Sequence, residues 1–446
     1  MKEKLLELMA ADKTDYAALK TMLPLMNTAD IAETFEGLDK EKHIHLFRLL
    51  PKSLASDVFS FLAPDLQQLI IEELTDTEIG EIINNLFADD AADFIEEMPA
   101  DIVKHVLQTA TPEKRATINQ LLKYPEDSAG SIMTTEYVDM LEDTTVGEAF
   151  GVIRKTGVNK ETIYTCYVIR ADRLLVGIIT VKKLLLAQAD QRVGSIMNRQ
   201  PIFARTSDDR ETIADIFKKY GLLSMPVVDA EQRLVGIITV DDIVQVIEEE
   251  TTEDIEKMSA LTPSDDPYLK TGIIRLARNR IFWLLILMLS ATITGTIISG
   301  FEESISVLPV LVAFIPMLMG TGGNAGSQSS TLVIRGMAVG EIRLKDVLRV
   351  LWRELRVAVI CGLALCLINF IRIYITNGRD LQLAAVVSIT LFCTLVIAKS
   401  IGCLLPMLAK KIKIDPAVMA APIITTIVDA TSLAFYFTIA KLVFRI

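Results

Sequence analysis

The chain has 446 residues, 51% of them hydrophobic, and a formal net charge of −12 at pH 7. A mean hydropathy of +0.40 argues against a wholly soluble protein and places part of the chain in lipid. Residues 1–130 carry 25 acidic and 12 basic side chains, residues 131–270 carry 24 and 16, and residues 271–446 carry 8 and 17. An acidic front therefore precedes a basic, apolar rear. That front argues against nucleic acid, which needs a basic footprint, and suits a cationic partner. Five cysteines stand at 166, 361, 366, 393 and 403 without a Cys-x-x-Cys pair, so neither a disulfide framework nor a zinc site is expected. His43 and His45 are two apart and would not share a helix face; with His105 they read as packed or surface residues. The stretch MKEKLLELMAADK is charged, lacks a long apolar core and is unlike a signal peptide. The first residues are expected to stay in the cytoplasm.

At the front, Leu38, Leu50, Leu62, Leu74, Leu86, Met98, Ala110 and Leu122 recur every twelve residues. Leu50-Pro51 and Met98-Pro99-Ala100-Asp101 show how one helix stops and the next begins. Each unit is a short helix that cannot bury its apolar face alone. Residues 1–130 are thus expected to form an all-α superhelical stack.

Residues 131–250 form a duplicated α/β unit, about 131–194 and 195–250. Ser131-Ile132-Met133-Thr134 answers Ser195-Ile196-Met197-Asn198, and Val176-Gly177-Ile178-Ile179-Thr180 answers Val235-Gly236-Ile237-Ile238-Thr239. Between these anchors lie short helices (Val146–Lys155, Thr212–Tyr220) and β-branched strands (Tyr164–Ile169, Met225–Val228). The pattern resembles a tandem pair of cystathionine-β-synthase-type (CBS) domains. That resemblance implies a regulatory module holding ATP or another adenine nucleotide. In such modules a Thr-x-x-Asp holds the ribose; Thr239 and Asp242 match it, whereas Thr180 is followed by Lys183.

The chain continues from 241 as a linker helix, and residues 251–270 are read as an acidic linker with its hinge. Like charges crowd it at helical spacing, as in Glu249/Glu253 and Glu250/Asp254, and Thr262-Pro263-Ser264 ends it.

Residues 271–446 read as a membrane domain of five helices. The uncharged stretches are Ile281–Gly300, Ser304–Ile334, Val357–Ile371, Leu381–Leu408 with Lys399 inside it, and Pro416–Ala440 with Asp429 inside it; about twenty apolar residues cross the hydrocarbon. Arg275, Arg278 and Arg280, then Arg335 to Arg356, then Lys410, Lys411 and Lys413 fall on one side, which is therefore cytoplasmic. The C-terminus is expected outside.

An ionised carboxylate in mid-membrane costs roughly 2.5 kcal/mol or more. Asp429, with Thr425 one turn away on the same face, is therefore read as a cation site. The alternatives are pairing with Lys399 or capping a broken helix. In the second stretch, the Gly-rich run 320–328 is expected to break the helix where it faces protein or water, with close helix contact through Gly322 and Gly326 as the alternative.

Pro316, Gly322, Gly323, Asn324, Gly326 and Gln328, followed by Asp429 in the last span, resemble the MgtE family of magnesium channels. All four parts occur in that family's order: helical N-domain, CBS pair, acidic linker ("plug") helix and five-span pore. The resemblance implies a homodimer in a bacterial inner membrane that imports Mg²⁺, with those six residues lining the pore. Asp429 would bind a largely hydrated Mg²⁺, which suits an ion that sheds water reluctantly. It further implies that cytosolic Mg²⁺ shuts the pore by bridging acids. These map here onto Asp57, Asp89 and Asp93, onto Glu211 and Asp242, and onto Glu250, Glu253 and Asp254. Gly221 and Gln245 stand where the family can carry Asp. The alternatives are an importer of Mn²⁺ or Co²⁺, and a membrane-anchored nucleotide sensor. No grouping of catalytic side chains points to an enzyme.

Overall fold

The computed structural model describes residues 2–10, 15–264, 268–269, 271–419 and 421–445. It divides into two units, Met1–Ile247 and Glu248–Ile446.

In the first unit, helices begin at Tyr16, Thr28, Lys40, Lys52, Pro64, Asp76, Ala88, Ala100 and Pro112, one start every twelve residues. Their signals are local. Pro64 and Pro112 occupy first helical positions, where a missing N–H costs nothing. Thr75 and Glu78 close a capping box. Leu50, Leu62, Leu74, Leu86, Met98 and Ala110 are buried between successive helices. A second ladder of the same period lines the core: Phe35, Phe47, Phe59, Ile71, Ile83 and Ile95. The first three rings meet edge to face at 6.5 and 6.2 Å, a favourable aromatic geometry.

The duplicated segment forms two three-stranded sheets. In one, β1 (Asp139–Leu141) lies parallel to β2 (Thr165–Ile169), which pairs antiparallel with β3 (Leu175–Thr180). In the other, β4 (Ala204–Arg205), β5 (Ser224–Val228) and β6 (Leu234–Thr239) repeat the arrangement. The repeated motifs interlock across the halves. Thr134 exchanges backbone hydrogen bonds of 2.8 and 2.9 Å with Ile237, and Asn198 exchanges bonds of 2.8 and 3.0 Å with Ile178. This crossing explains both strand glycines. A Cβ at Gly177 would meet Met197 Sδ at 2.7 Å, and one at Gly236 would meet Met133 Sδ at 2.6 Å.

The linker helix runs from Val240 to Met258. It stops where Ala260 turns left-handed and the Leu261 N–H reaches back to the Glu256 carbonyl at 2.9 Å, a Schellman-type end. The hinge positions 265–267 and 270 lie outside the described residues.

Among the described residues, the second unit holds five helices long and apolar enough to cross a membrane: span one (Ile273–Gly300), span two (Pro309–Ala338), span three (Leu344–Thr376), span four (Leu381–Lys411) and span five (Pro416–Phe444). Span two starts later than the uncharged run suggested. Pro309 disfavours helix at Leu308, which sits at φ −131°, ψ 76°. The short helix Glu302–Val307 is therefore separate. Span four packs against spans two, three and five, span two also against five, and span one against five.

Candidate functional site

The expected break in span two is absent: Ile315–Ala338 is one continuous α-helix through the Gly-rich run. Close packing explains it. A Cβ on Gly322 would meet Thr394 and Val428 at 2.7 and 2.9 Å; one on Gly323 would meet Thr425 at 2.8 Å; one on Gly326 would meet Ile424 at 2.7 Å. On Gly402 of span four a Cβ would strike the Gly326 carbonyl. These glycines form a shelf on which spans four and five lie. The opposite face of span two is exposed and bears Pro316, Gly320, Asn324 and Gln328, spaced four apart.

Span five brings Thr425 onto this shelf, with Asp429 one turn on. Both are half-buried. Asp429 Oδ1 is buried without a hydrogen-bond partner. The Thr425 hydroxyl donates to the Pro422 carbonyl at 2.9 Å, which leaves its oxygen lone pairs available.

Lys399 does not pair with Asp429. Its Nζ lies 3.3 Å from Ser329 Oγ and 3.8 Å from Glu354 Oε2, and Ser329 donates to the same Glu354 oxygen at 2.6 Å. Spans two, three and four thus share a buried ionic triad. Glu354 escaped the sequence reading because it lies between Arg353 and Arg356, in a stretch read as a cytoplasmic connection.

In the first unit, Asp89 is 7% exposed and its Oδ1 has no partner. Burial, then the charges of Asp242, Asp90 and Glu161, hold its carboxyl well above the usual range. Asp90 and Asp242 are each pushed up to about 6, chiefly by burial. Glu161 is pushed up to about 8 by burial and by Asp241, Asp242 and Asp90, and its Oε2 is also without a partner. Asp57 is raised by burial, and its charge reaches Asp90. The structure therefore brings together Asp57, Asp89 and Asp242, and adds Asp90, Asp241 and Glu161. The first two additions were legible as neighbours of predicted residues; Glu161 comes from the loop before β2 and carried no sequence signal. Asp93 and Glu211 are exposed on helices Ala88–Glu96 and Arg210–Tyr220. Among the described residues no group of three or more His, Cys, Asp or Glu is arranged to hold a metal ion directly. The unpartnered oxygens of Asp89 and Glu161 fit a cation that keeps its water.

Thr239 and Asp242 have a local role as well. The Thr239 hydroxyl donates to Asp242 Oδ2 at 2.7 Å, fixing the start of the linker helix. In the first half, Thr180 caps its helix by accepting from the Lys183 N–H at 3.3 Å. In the linker, Glu250 is half-buried, Glu253 pairs with Lys257 at 2.6 Å, and the Asp254 carboxyl is raised by burial and by Asp415.

Residues 315–439 match the family described as "Divalent cation transporter", residues 26–127 the "MgtE intracellular N domain", and residues 129–190 and 193–249 the CBS domain. The "Magnesium transporter MgtE" of Thermus thermophilus is 35% identical over 97% of this chain and 96% of its own length. The chain belongs to the MgtE family. The MgtE of Bacillus subtilis is 32% identical over 94% of this chain and 93% of its own length. A crystal structure of the cytosolic domain of the Mg²⁺ channel MgtE in complex with ATP covers 52% of this chain and 95% of that one, at 35% identity and a TM-score of 0.50. The soluble part of a magnesium transporter covers 56% and 99%, at 26% identity and a TM-score of 0.53. The MgtE architecture accounts for the helical stack, the CBS pair and the five membrane helices described above.

Proposed function

We propose that this chain carries Mg²⁺ across a bacterial inner membrane past Asp429, and that cytosolic Mg²⁺ shuts the path. The observation that carries the first part is the unpartnered, buried Oδ1 of Asp429 in mid-span, beside Thr425. A stranded carboxylate in lipid is expensive, and a hydrated divalent ion is the partner such a site suits. Mn²⁺ and Co²⁺ are less favoured because the full-length relatives are named magnesium transporters; a softer ion such as Co²⁺ would also want His or Cys ligands, and among the described residues no such cluster is arranged to hold a metal. A nucleotide sensor without transport is disfavoured too: it needed Lys399 to neutralise Asp429, and Lys399 is engaged with Glu354.

The face that bears Pro316, Gly320 and the amides Asn324 and Gln328 is open in one chain. Such a face does not suit lipid. It supports a homodimer in which these residues, with Gly322, Gly323 and Gly326 behind them, form the pore wall. Five spans with Lys and Arg on one side support a cytoplasmic N-terminus and an external C-terminus. Inward flow of a divalent ion would gain about 4.6 kcal/mol per 100 mV of membrane potential. The second part rests on the carboxylate cluster at Asp89 and Asp242, with Asp57, Asp93, Glu211, Glu250, Glu253 and Asp254 as further sensor acids. The relative crystallised with ATP supports adenine-nucleotide binding at the CBS pair through Thr239 and Asp242.

The test is Mg²⁺ uptake into proteoliposomes holding wild type or Asp429→Ala, at low and high Mg²⁺ on the side of the acidic domain. Uptake that needs Asp429 and falls at high Mg²⁺ is expected. Uptake indifferent to both changes would overturn the reading.

A further inference from the structure

The linker helix crowds Glu248, Glu249, Glu250, Glu253, Asp254 and Glu256 ahead of one basic residue, Lys257. Lys257 does more than pair along its own helix. Its Nζ lies 2.6 Å from Glu253 Oε1, one turn back, and 2.8 Å from Asp415 Oδ2, at the head of span five. Asp254 shares this neighbourhood, since the charge of Asp415 reaches its carboxyl. Asp415 is itself fixed: its Oδ1 accepts from the Ala417 N–H at 2.8 Å, a cap on the first turn of the span. The linker end is seated nearby. The Ser264 N–H donates to Glu256 Oε2 at 3.0 Å, and the Thr262 N–H donates to the Asn279 carbonyl of span one at 3.1 Å.

The chemistry of Lys257 keeps it charged. Its Nζ reaches both Glu253 and Asp415, and charge-assisted bonds to two carboxylates favour the ammonium. An ammonium among Glu253, Asp254 and Asp415 satisfies the same electrostatic need as a divalent cation. It differs in one respect: it is covalently attached and does not leave when free Mg²⁺ falls.

We propose that Lys257 is a built-in cation that latches the linker helix to the head of span five, so that this contact holds without Mg²⁺. That the latch favours the shut pore rests on the transport and gating reading above; the latch itself does not. Glu253 and Asp254 then report on Mg²⁺ only after Lys257 has let go, and the Mg²⁺ response of the protein rests mainly on the acids of the first unit.

The experiment uses the full chain in nanodiscs and in proteoliposomes, with Lys257→Met, Lys257→Arg, Asp415→Asn and the double variant Lys257→Met/Asp415→Asn. Asn at 415 removes the charge and keeps the cap. In Mg²⁺-free buffer, hydrogen exchange of the amides at 252–264 should rise roughly fivefold in Lys257→Met and in Asp415→Asn, the scale of one partly exposed ion pair. The double variant should exchange no faster than either single one, and Lys257→Arg should match wild type. Uptake at low Mg²⁺ should rise with exchange. Unchanged exchange in Lys257→Met and Asp415→Asn would overturn the latch, and so would Lys257→Arg behaving like Lys257→Met. Faster exchange in the variants, with no Mg²⁺ uptake by wild type, would keep the latch and sink the transport reading instead.

Discussion

Lys399 is 6% exposed, and the Glu354 side chain beside it is 14% exposed. Each is the other's charge compensation, with Ser329 donating to Glu354 and accepting from Lys399. Removing one partner strands a buried charge, which costs about 3–5 kcal/mol. Removing both can be close to neutral. Lys399→Met and Glu354→Gln should therefore each lower the melting temperature in detergent, while Lys399→Met/Glu354→Gln should recover most of the loss. Three similar melting curves would mean that the triad contributes little. The lysine was visible in the sequence as a lone intramembrane base; its partner was not, because a Glu flanked by arginines looks like a solvated face. Glycines carry a second residue-scale test. Gly402→Ala would drive a Cβ into the Gly326 carbonyl, where no flexible tip can yield. A loss of about 1–3 kcal/mol is expected. At Gly320 an added Cβ meets nothing within one chain. Gly320→Ala should leave the melting curve of the monomer alone, and a fall in dimer content or uptake would report what covers that face.

The acidic cluster belongs to elements rather than to single residues. Helix Ala88–Glu96 supplies Asp89 and Asp90 in its first turn, and helix Val240–Met258 supplies Asp241 and Asp242 in its own. Helix N-termini favour carboxylates, but burial here outweighs that. Asp90 and Asp242 near 6, and Glu161 near 8, all lie above their ordinary values of 3.8 and 4.5. The folded first unit then binds more protons than the unfolded chain between about pH 4 and 8. Its stability is fully present below the ordinary carboxylate range and falls as pH rises through these raised values. Without Mg²⁺, protease sensitivity of the first 247 residues should increase from about pH 5 to about pH 8, and millimolar Mg²⁺ should flatten the profile. A flat profile without Mg²⁺ would mean that the cluster is better solvated than the packing shows. At this scale the sequence was readable wherever a period governed. The twelve-residue repeat announced helices that begin at Lys52, Pro64 and Asp76. The doubled Gly-Ile-Ile-Thr announced β3 and β6. What stayed illegible was pairing across elements: the crossing of Thr134 with Ile237, the approach of Glu161 to Asp242, and the continuity of span two. Glycine's weak helix propensity argued for a break there, but tight packing on spans four and five overrode it.

Over the whole molecule, residues 1–270 hold 49 acidic and 28 basic side chains. Such an excess repels itself, and two different things can relieve it. Monovalent salt screens it over a Debye length of about 8 Å at physiological strength. A divalent ion bridges particular carboxylates and acts where the acids are buried and screening is weak. The two are separable. If Mg²⁺ bridges, millimolar Mg²⁺ should protect the acidic front of the full-length protein from proteolysis more than sodium chloride at matched ionic strength. Asp89→Asn/Asp242→Asn should lose the Mg²⁺-specific share and keep the salt share. Equal protection by the two salts would reduce the sensor to general screening. Asp429→Ala should leave this protection intact while abolishing uptake, because Asp429 lies in span five of the second unit and Asp89 and Asp242 lie in the first. A variant deficient in both would instead couple the occupancy of the pore to the state of the acidic front, and the ion on Asp429 would then itself belong to the sensor.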